Sequence, residues 1–199
     1  MNLPNRLTIL RIILVPFILV FMLPFRRLGM DIAWNNFVAE FGMIIATVLF
    51  LAASVTDTMD GQIARKRNIV TNMGKFLDPI ADKMLVASVL VALVQLGRIS
   101  AYAAIIIICR EFIVSGVRLL AADKNVVIAA SNLGKVKTVV QIVAIIAVMI
   151  AAQIDTFLPG HSMLKYLETG TTVLVFAAVV LTIVSGYDYV KKNMHFIIE

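Results

Sequence analysis

Charge and cysteine are what this sequence has least of. Only 15% of its 199 residues are charged and one is a cysteine, against 61% hydrophobic side chains. A soluble domain carries about 25% charged residues, and a short chain leaves too much surface wet to hide so much apolar area. A lone soluble globule is excluded. Cys109 has no second cysteine to pair with and follows four isoleucines, so it reads as a small buried hydrophobe rather than a nucleophile. The two histidines, His161 in a loop and His195 in the tail, read as solvated residues. No polar stretch is long enough for a linker or a soluble domain, which leaves one domain over 1–199.

What the chain does have is a series of uncharged runs: 12–25, 41–56, 84–97, 99–109 continuing past Arg110 and Glu111 to 117, 138–154 and 169–187. With a flanking turn each, they approach the ~20 residues that cross ~30 Å of hydrocarbon. The ~10-residue alternation of a membrane barrel is missing. The expected architecture is all-α, a polytopic integral membrane protein of six transmembrane helices. Arg6 and Arg11 precede the first run as in a signal peptide, but Arg26 and Arg27 follow it in place of a small-x-small cleavage site, so this span is expected to be retained.

The excess of 18 Lys+Arg over 12 Asp+Glu is distributed unevenly. With a cytoplasmic N-terminus, one side collects Arg6, Arg11, Arg65, Lys66, Arg67, Lys75, Lys83, Arg118, Lys124, Lys135, Lys137, Lys191 and Lys192. The other keeps Arg26, Arg27, Arg98 and Lys165, and Arg110 lies inside a span. This asymmetry places both termini in the cytoplasm. The cations come singly or in pairs between apolar runs, not along an aromatic-studded polar face, so nucleic acid is not an expected partner. Anionic membrane lipids and phosphorylated substrates fit better.

Four acids fall within 26 residues: Asp57, Asp60, Asp78 and Asp82. On helices, residues three or four apart share a face, so Asp57 and Asp60 point one way from the end of the second span, as do Asp78 and Asp82 at the start of the third. A short connection makes these helices antiparallel neighbours, which can gather all four carboxylates at one membrane edge. Four like charges there repel one another unless cations neutralise them, and two divalent metals balance the count. An all-oxygen set favours Mg²⁺ or Mn²⁺ over zinc. Gly61, Ala64 and Gly74 let a ligand approach the backbone, and the planar fork of Arg65 suits a phosphate. Helix punctuation explains single members, Asp78 as N-cap with Pro79 at the first helical position for instance, but not the set of four.

At these positions the chain resembles the CDP-alcohol phosphatidyltransferases: Asp57-x2-Asp60-Gly61-x2-Ala64-Arg65-x8-Gly74-x3-Asp78-x3-Asp82 matches every fixed position of that family's signature. The resemblance implies a six-helix membrane enzyme, usually a homodimer, with a two-metal site open to the cytoplasm. Such enzymes move a phosphatidyl group from CDP-diacylglycerol to an alcohol and release CMP. It implies further that Asp57, Asp60 and Asp78 hold metal, that Asp82 touches metal and acts as general base, and that Gly61, Ala64, Arg65, Thr71 and Gly74 border the CDP moiety.

Within the family, residues 3–11 and the segments 110–118 and 134–138 are similar to the bacterial branch whose acceptor is sn-glycerol 3-phosphate. That likeness places Asn5 and Thr8 at the nucleotide pocket; a plain helix start, with Asn5 as cap and Arg11 as interfacial anchor, is the competing reading. Arg110 lies roughly 15 Å along its span, where a charge needs a polar cavity or a partner such as Glu111. An acceptor phosphate gives Arg110, Arg118, Lys135 and Lys137 a purpose; a plain Arg–Glu pair between helices is the alternative. Lys135 and Lys137, about 200° apart on a helix, cannot both point into one site, and Lys135 is favoured as the more direct contact. Rival functions are transfer to another alcohol, such as inositol phosphate, serine or phosphatidylglycerol, and an ion or proton transporter.

Overall fold

The computed structural model describes residues 3–24, 32–67, 72–124, 126, 128, 131–194 and 196, and their side chains except at 3–7, 32, 57–67, 72–79, 82 and 123. Among these residues the regular elements are helical: α1 (Leu3–Met22), α2 (Ile32–Phe37), a π-helical turn (Val38–Gly42), α3 (Met43–Arg67), α4 (Asn72–Gln95), α5 (Ala101–Asp123), α6 (Asn132–Phe157) and α7 (Ser162–Lys192). α6 and α7 overrun their apolar runs at both ends, whereas α4 stops at Gln95 rather than 97 and α5 starts at Ala101 rather than 99. α1 stops at Met22 rather than 25, because Leu23 precedes Pro24 and is pushed out of helical backbone. The second span was expected from 41; its helical backbone starts nine residues earlier, in α2. At the far end of α4, Gly97 takes a left-handed φ of 69° and Arg98 N–H reaches back to the Leu93 carbonyl at 2.9 Å, a glycine-terminated helix end.

Three helical stretches, Ala33–Thr56, Asn132–Phe157 and Ser162–Lys192, are long and apolar enough to cross a membrane, and Thr8–Met22 and Lys83–Gln95 are shorter apolar segments. In α5 the charges Arg110, Glu111 and Arg118 interrupt the apolar run. Large apolar side chains point outward, Phe112 at 61% and Phe176 at 69% exposure, while Lys137, Gln141, Thr182 and Ser185 point inward at 3% or less. Such an inverted distribution suits a lipid environment, where apolar faces have no reason to turn in. Cys109 corrects the expectation of burial: it is exposed, on the same outward face of α5 as Ile105, Phe112 and Ile113.

The chain forms two compact units, residues 1–98 with 149–164 and residues 99–148 with 165–199. In the first, α1 buries a stripe at spacings of three and four, Thr8, Arg11, Val15, Ile18 and Met22, and packs along both α3 and α4. Small residues permit close approach: a Cβ at Gly42 would overlap the Phe21 carbonyl oxygen. At one end of this unit, Gln153 donates to the Glu40 carbonyl at 2.8 Å, Phe157 meets Phe41 at 6.2 Å, and Arg98 pairs with Asp155 at 2.8 Å. The tail of α6 thus touches both the entrance to α3 and the exit of α4, so α3 and α4 run antiparallel. In the second unit α5, α6 and α7 turn buried stripes inward, among them Ala178, Thr182, Ser185 and Tyr189 of α7.

Candidate functional site

The antiparallel course of α3 and α4 puts both halves of the acidic motif at the same end of the first unit, opposite the Arg98–Asp155 pair. Asp57, Asp60, Gly61, Ala64 and Arg65 all lie on α3, and Gly74, Asp78 and Asp82 on α4. Their side chains, like that of Asn5 on α1, lie outside the described residues, as does Thr71 altogether. Helical backbone at both segments keeps each aspartate pair on one helix face. It also removes the capping explanation: α4 begins at Asn72, six residues before Asp78, so Asp78 and Pro79 sit inside the helix. Four carboxylates with no histidine or thiolate form a donor set suited to hard divalent cations. Among the residues whose side chains are described, which exclude these four, no group of three or more His, Cys, Asp or Glu could hold a metal.

Thr8 is 3% exposed on the stripe that α1 turns toward α3 and α4. Arg11, an interfacial anchor in the competing reading of this segment, is equally buried one turn along the same stripe. A cation so placed faces the two helices that carry the acidic motif. The three-residue spacing from Thr8 puts Arg11 on the same helix face.

In the second unit the charges of α5 and α6 converge. Lys137, fully buried, donates to Glu111 Oε1, and Arg110 Nη1 lies 3.4 Å from the same oxygen. Arg110 Nη2 donates to Ser185 Oγ of α7 at 3.1 Å. Two cations therefore converge on one carboxylate oxygen in an interior where charge is costly. Buried polar atoms add to this: Arg110 Nε and Gln141 Oε1, one turn beyond Lys137, make no hydrogen bond. Two basic side chains beside unpaired polar atoms suit an anionic group with hydroxyls.

The two lysines separate as helical geometry demands. Ser131 caps α6, its Oγ accepting from Gly134 N–H at 3.1 Å, so the helix is regular across both. Lys137 points inward and Lys135, favoured on sequence, is exposed. Arg118 is exposed too, with Nε 3.2 Å from the Tyr189 hydroxyl and its guanidinium 5.5 Å from that ring's centre. Glu111, Ser185 and Tyr189 are contributors that sequence reading did not single out as site residues. Glu111 was at hand as a neighbour of Arg110, but Ser185, 75 residues away, carried no local signal.

Comparison with known proteins covers nearly the whole chain. A family model described as CDP-alcohol phosphatidyltransferase matches residues 1–186. The chain is 40% identical over 195 residues to a CDP-diacylglycerol–glycerol-3-phosphate 3-phosphatidyltransferase of Bacillus subtilis, covering 96% of this chain and 95% of that one. It is 37% identical to the protein of the same description from Rickettsia felis, over 96% and 94% of the two chains. A probable phosphatidylglycerophosphate synthase of Mycobacterium tuberculosis is 36% identical over 97% of this chain and 82% of its own length. With its complete acidic signature on two antiparallel helices, the chain belongs to the CDP-alcohol phosphatidyltransferase family.

Proposed function

We propose that the protein transfers the phosphatidyl group of CDP-diacylglycerol to sn-glycerol 3-phosphate, giving phosphatidylglycerophosphate and CMP. The observation that carries this reading is the near full-length match to relatives described by that activity. Basic side chains gathered in the second unit, Lys137 buried and Arg110 beside it on the same carboxylate, agree with it, since they suit a phosphorylated acceptor. Membership of a transferase family sets the transporter reading aside.

In this reading Asp57, Asp60, Asp78 and Asp82 hold two divalent cations, Mg²⁺ or Mn²⁺. Bound there, the pair supplies charge neutralisation for the diphosphate. Asn5, Thr8, Gly61, Ala64, Arg65, Thr71 and Gly74 bind the CDP portion of the lipid. Arg110 and Lys137 hold the acceptor phosphate directly, while Arg118 and Lys135, both exposed, attract it through solvent. Asp82 takes the proton of the acceptor's 1-hydroxyl, and that oxygen attacks the phosphorus bearing the diacylglycerol. The bond from this phosphorus to the CMP oxygen breaks, and Arg65 pairs with the departing phosphate. Direct transfer is the simpler course, because the sequence from Asp57 to Asp82 holds no Ser, Cys or His to act as nucleophile.

The same reading makes α1, α2 with α3, α4, α5, α6 and α7 six spans of one catalytic domain in the cytoplasmic membrane. Both termini and the acidic motif face the cytoplasm, supported by the Lys and Arg distribution, and the enzyme works as a homodimer, as the family resemblance implies. The test is CMP release by purified protein given CDP-diacylglycerol, Mg²⁺ or Mn²⁺, and a panel of acceptors. Turnover with glycerol 3-phosphate above all others is expected; silence with it and turnover with another alcohol would overturn the acceptor while keeping the family.

A further inference from the structure

We infer that Ser185 and Gly186 of α7 are positioning residues that hold Arg110 ready for the acceptor phosphate, an inference that rests on the reading of Arg110 as an acceptor contact. Arginine has a long flexible stem, and an unrestrained one would lose much of its binding energy in being ordered. The fold restrains this one at both ends. At the stem, a Cβ on Gly186 would lie 2.9 Å from Arg110 Cγ and 3.7 Å from Nε, so only a glycine lets the stem lie against the α7 backbone. At the fork, Nη2 donates to Ser185 Oγ at 3.1 Å, and a Cβ on Gly134 of α6 would sit 3.7 Å from the same nitrogen.

Ser185 is itself oriented. Its side chain is 1% exposed and its hydroxyl donates to the Thr182 carbonyl at 3.2 Å, which turns a lone pair toward the guanidinium. An arginine serving only to join helices would place its fork on a carboxylate. Here the nearer partner is a neutral hydroxyl, the Glu111 contact is long at 3.4 Å and shared with Lys137, and Nε is left without a hydrogen bond. The slot thus fixes the arginine's geometry without discharging it. That is the behaviour wanted of a preorganised anion contact.

The test is steady-state kinetics of the full-length protein in mixed micelles. Loss of a hydrogen bond to a charged group corresponds to roughly a tenfold change or more. Ser185→Ala and Gly186→Ala are each expected to raise KM for glycerol 3-phosphate about tenfold, with KM for CDP-diacylglycerol and kcat within about twofold. Ser185→Thr, which keeps the hydroxyl, should recover most of the loss. On an Arg110→Ala background, Ser185→Ala should add nothing. Unchanged KM in Ser185→Ala, equal loss toward both substrates, or full additivity with Arg110→Ala would each overturn the positioning role alone. Absence of wild-type turnover with glycerol 3-phosphate would overturn the acceptor reading and this inference with it.

Discussion

Lys137 of α6 and Glu111 of α5 form an ion pair in which the lysine side chain is 1% exposed and the carboxylate 25%. This asymmetry fixes which partner is the more costly to lose. Glu111→Gln takes a charged partner from an almost fully buried ammonium and is expected to cost about 3–5 kcal/mol. Lys137→Met leaves a carboxylate that is already partly solvated and should cost clearly less. Unfolding in detergent micelles measures both; equal loss, or the reverse order, would contradict the pairing.

Kinetics should separate the lysines two residues apart. Lys137→Ala is expected to raise KM for glycerol 3-phosphate by about tenfold or more, as for loss of a charged hydrogen-bond partner. Lys135, on the exposed face, acts through solvent, so Lys135→Ala should change KM by only about twofold, less still at high ionic strength. A larger effect from Lys135 at both ionic strengths would return it to the direct role that sequence reading favoured.

The acidic motif makes a sharper demand. Asp82→Asn should lower turnover by about 10²–10⁴, the range lost with a general base, while much of the CDP-diacylglycerol binding persists. Asp57→Asn, Asp60→Asn and Asp78→Asn should also lose turnover, with Mg²⁺ or Mn²⁺ required at higher concentration. A chelator should silence the wild type and either cation should restore it. Near-normal turnover in Asp82→Asn would remove its role as base.

The parts of this molecule legible in its sequence are those encoded by local spacing. Apolar runs locate the helices because a lipid-crossing helix must be apolar along its length, and the signature from Asp57 to Asp82 stands out because helix geometry ties spacing to face. Helix ends were not legible: α3 continues through the charged residues to Arg67, since backbone hydrogen bonding does not stop where apolarity does. Cys109 misled because burial and hydrophobicity part company when the solvent is lipid. The slot for Arg110 depends on Gly134 and Gly186 converging from two other helices, a tertiary fact with no local trace.

Glycine supplies the last prediction, in the first unit. A Cβ at Gly42 would overlap the Phe21 carbonyl oxygen and press on Val38 Cγ1 at 3.0 Å. A side chain can rotate away but a helix carbonyl cannot, so Gly42→Ala must push the π-helical turn off α1. The cost expected from such overpacking is about 1–3 kcal/mol. Gly170 of α7 is the control: it is helical and exposed, with nothing within 4 Å of an added Cβ. There the same change only trims backbone freedom and should be neutral or stabilising by up to about 1 kcal/mol. Thermal unfolding of the two variants in one detergent checks the contrast. A Gly42→Ala protein as stable as Gly170→Ala would show that α1 and the turn are not packed backbone to backbone.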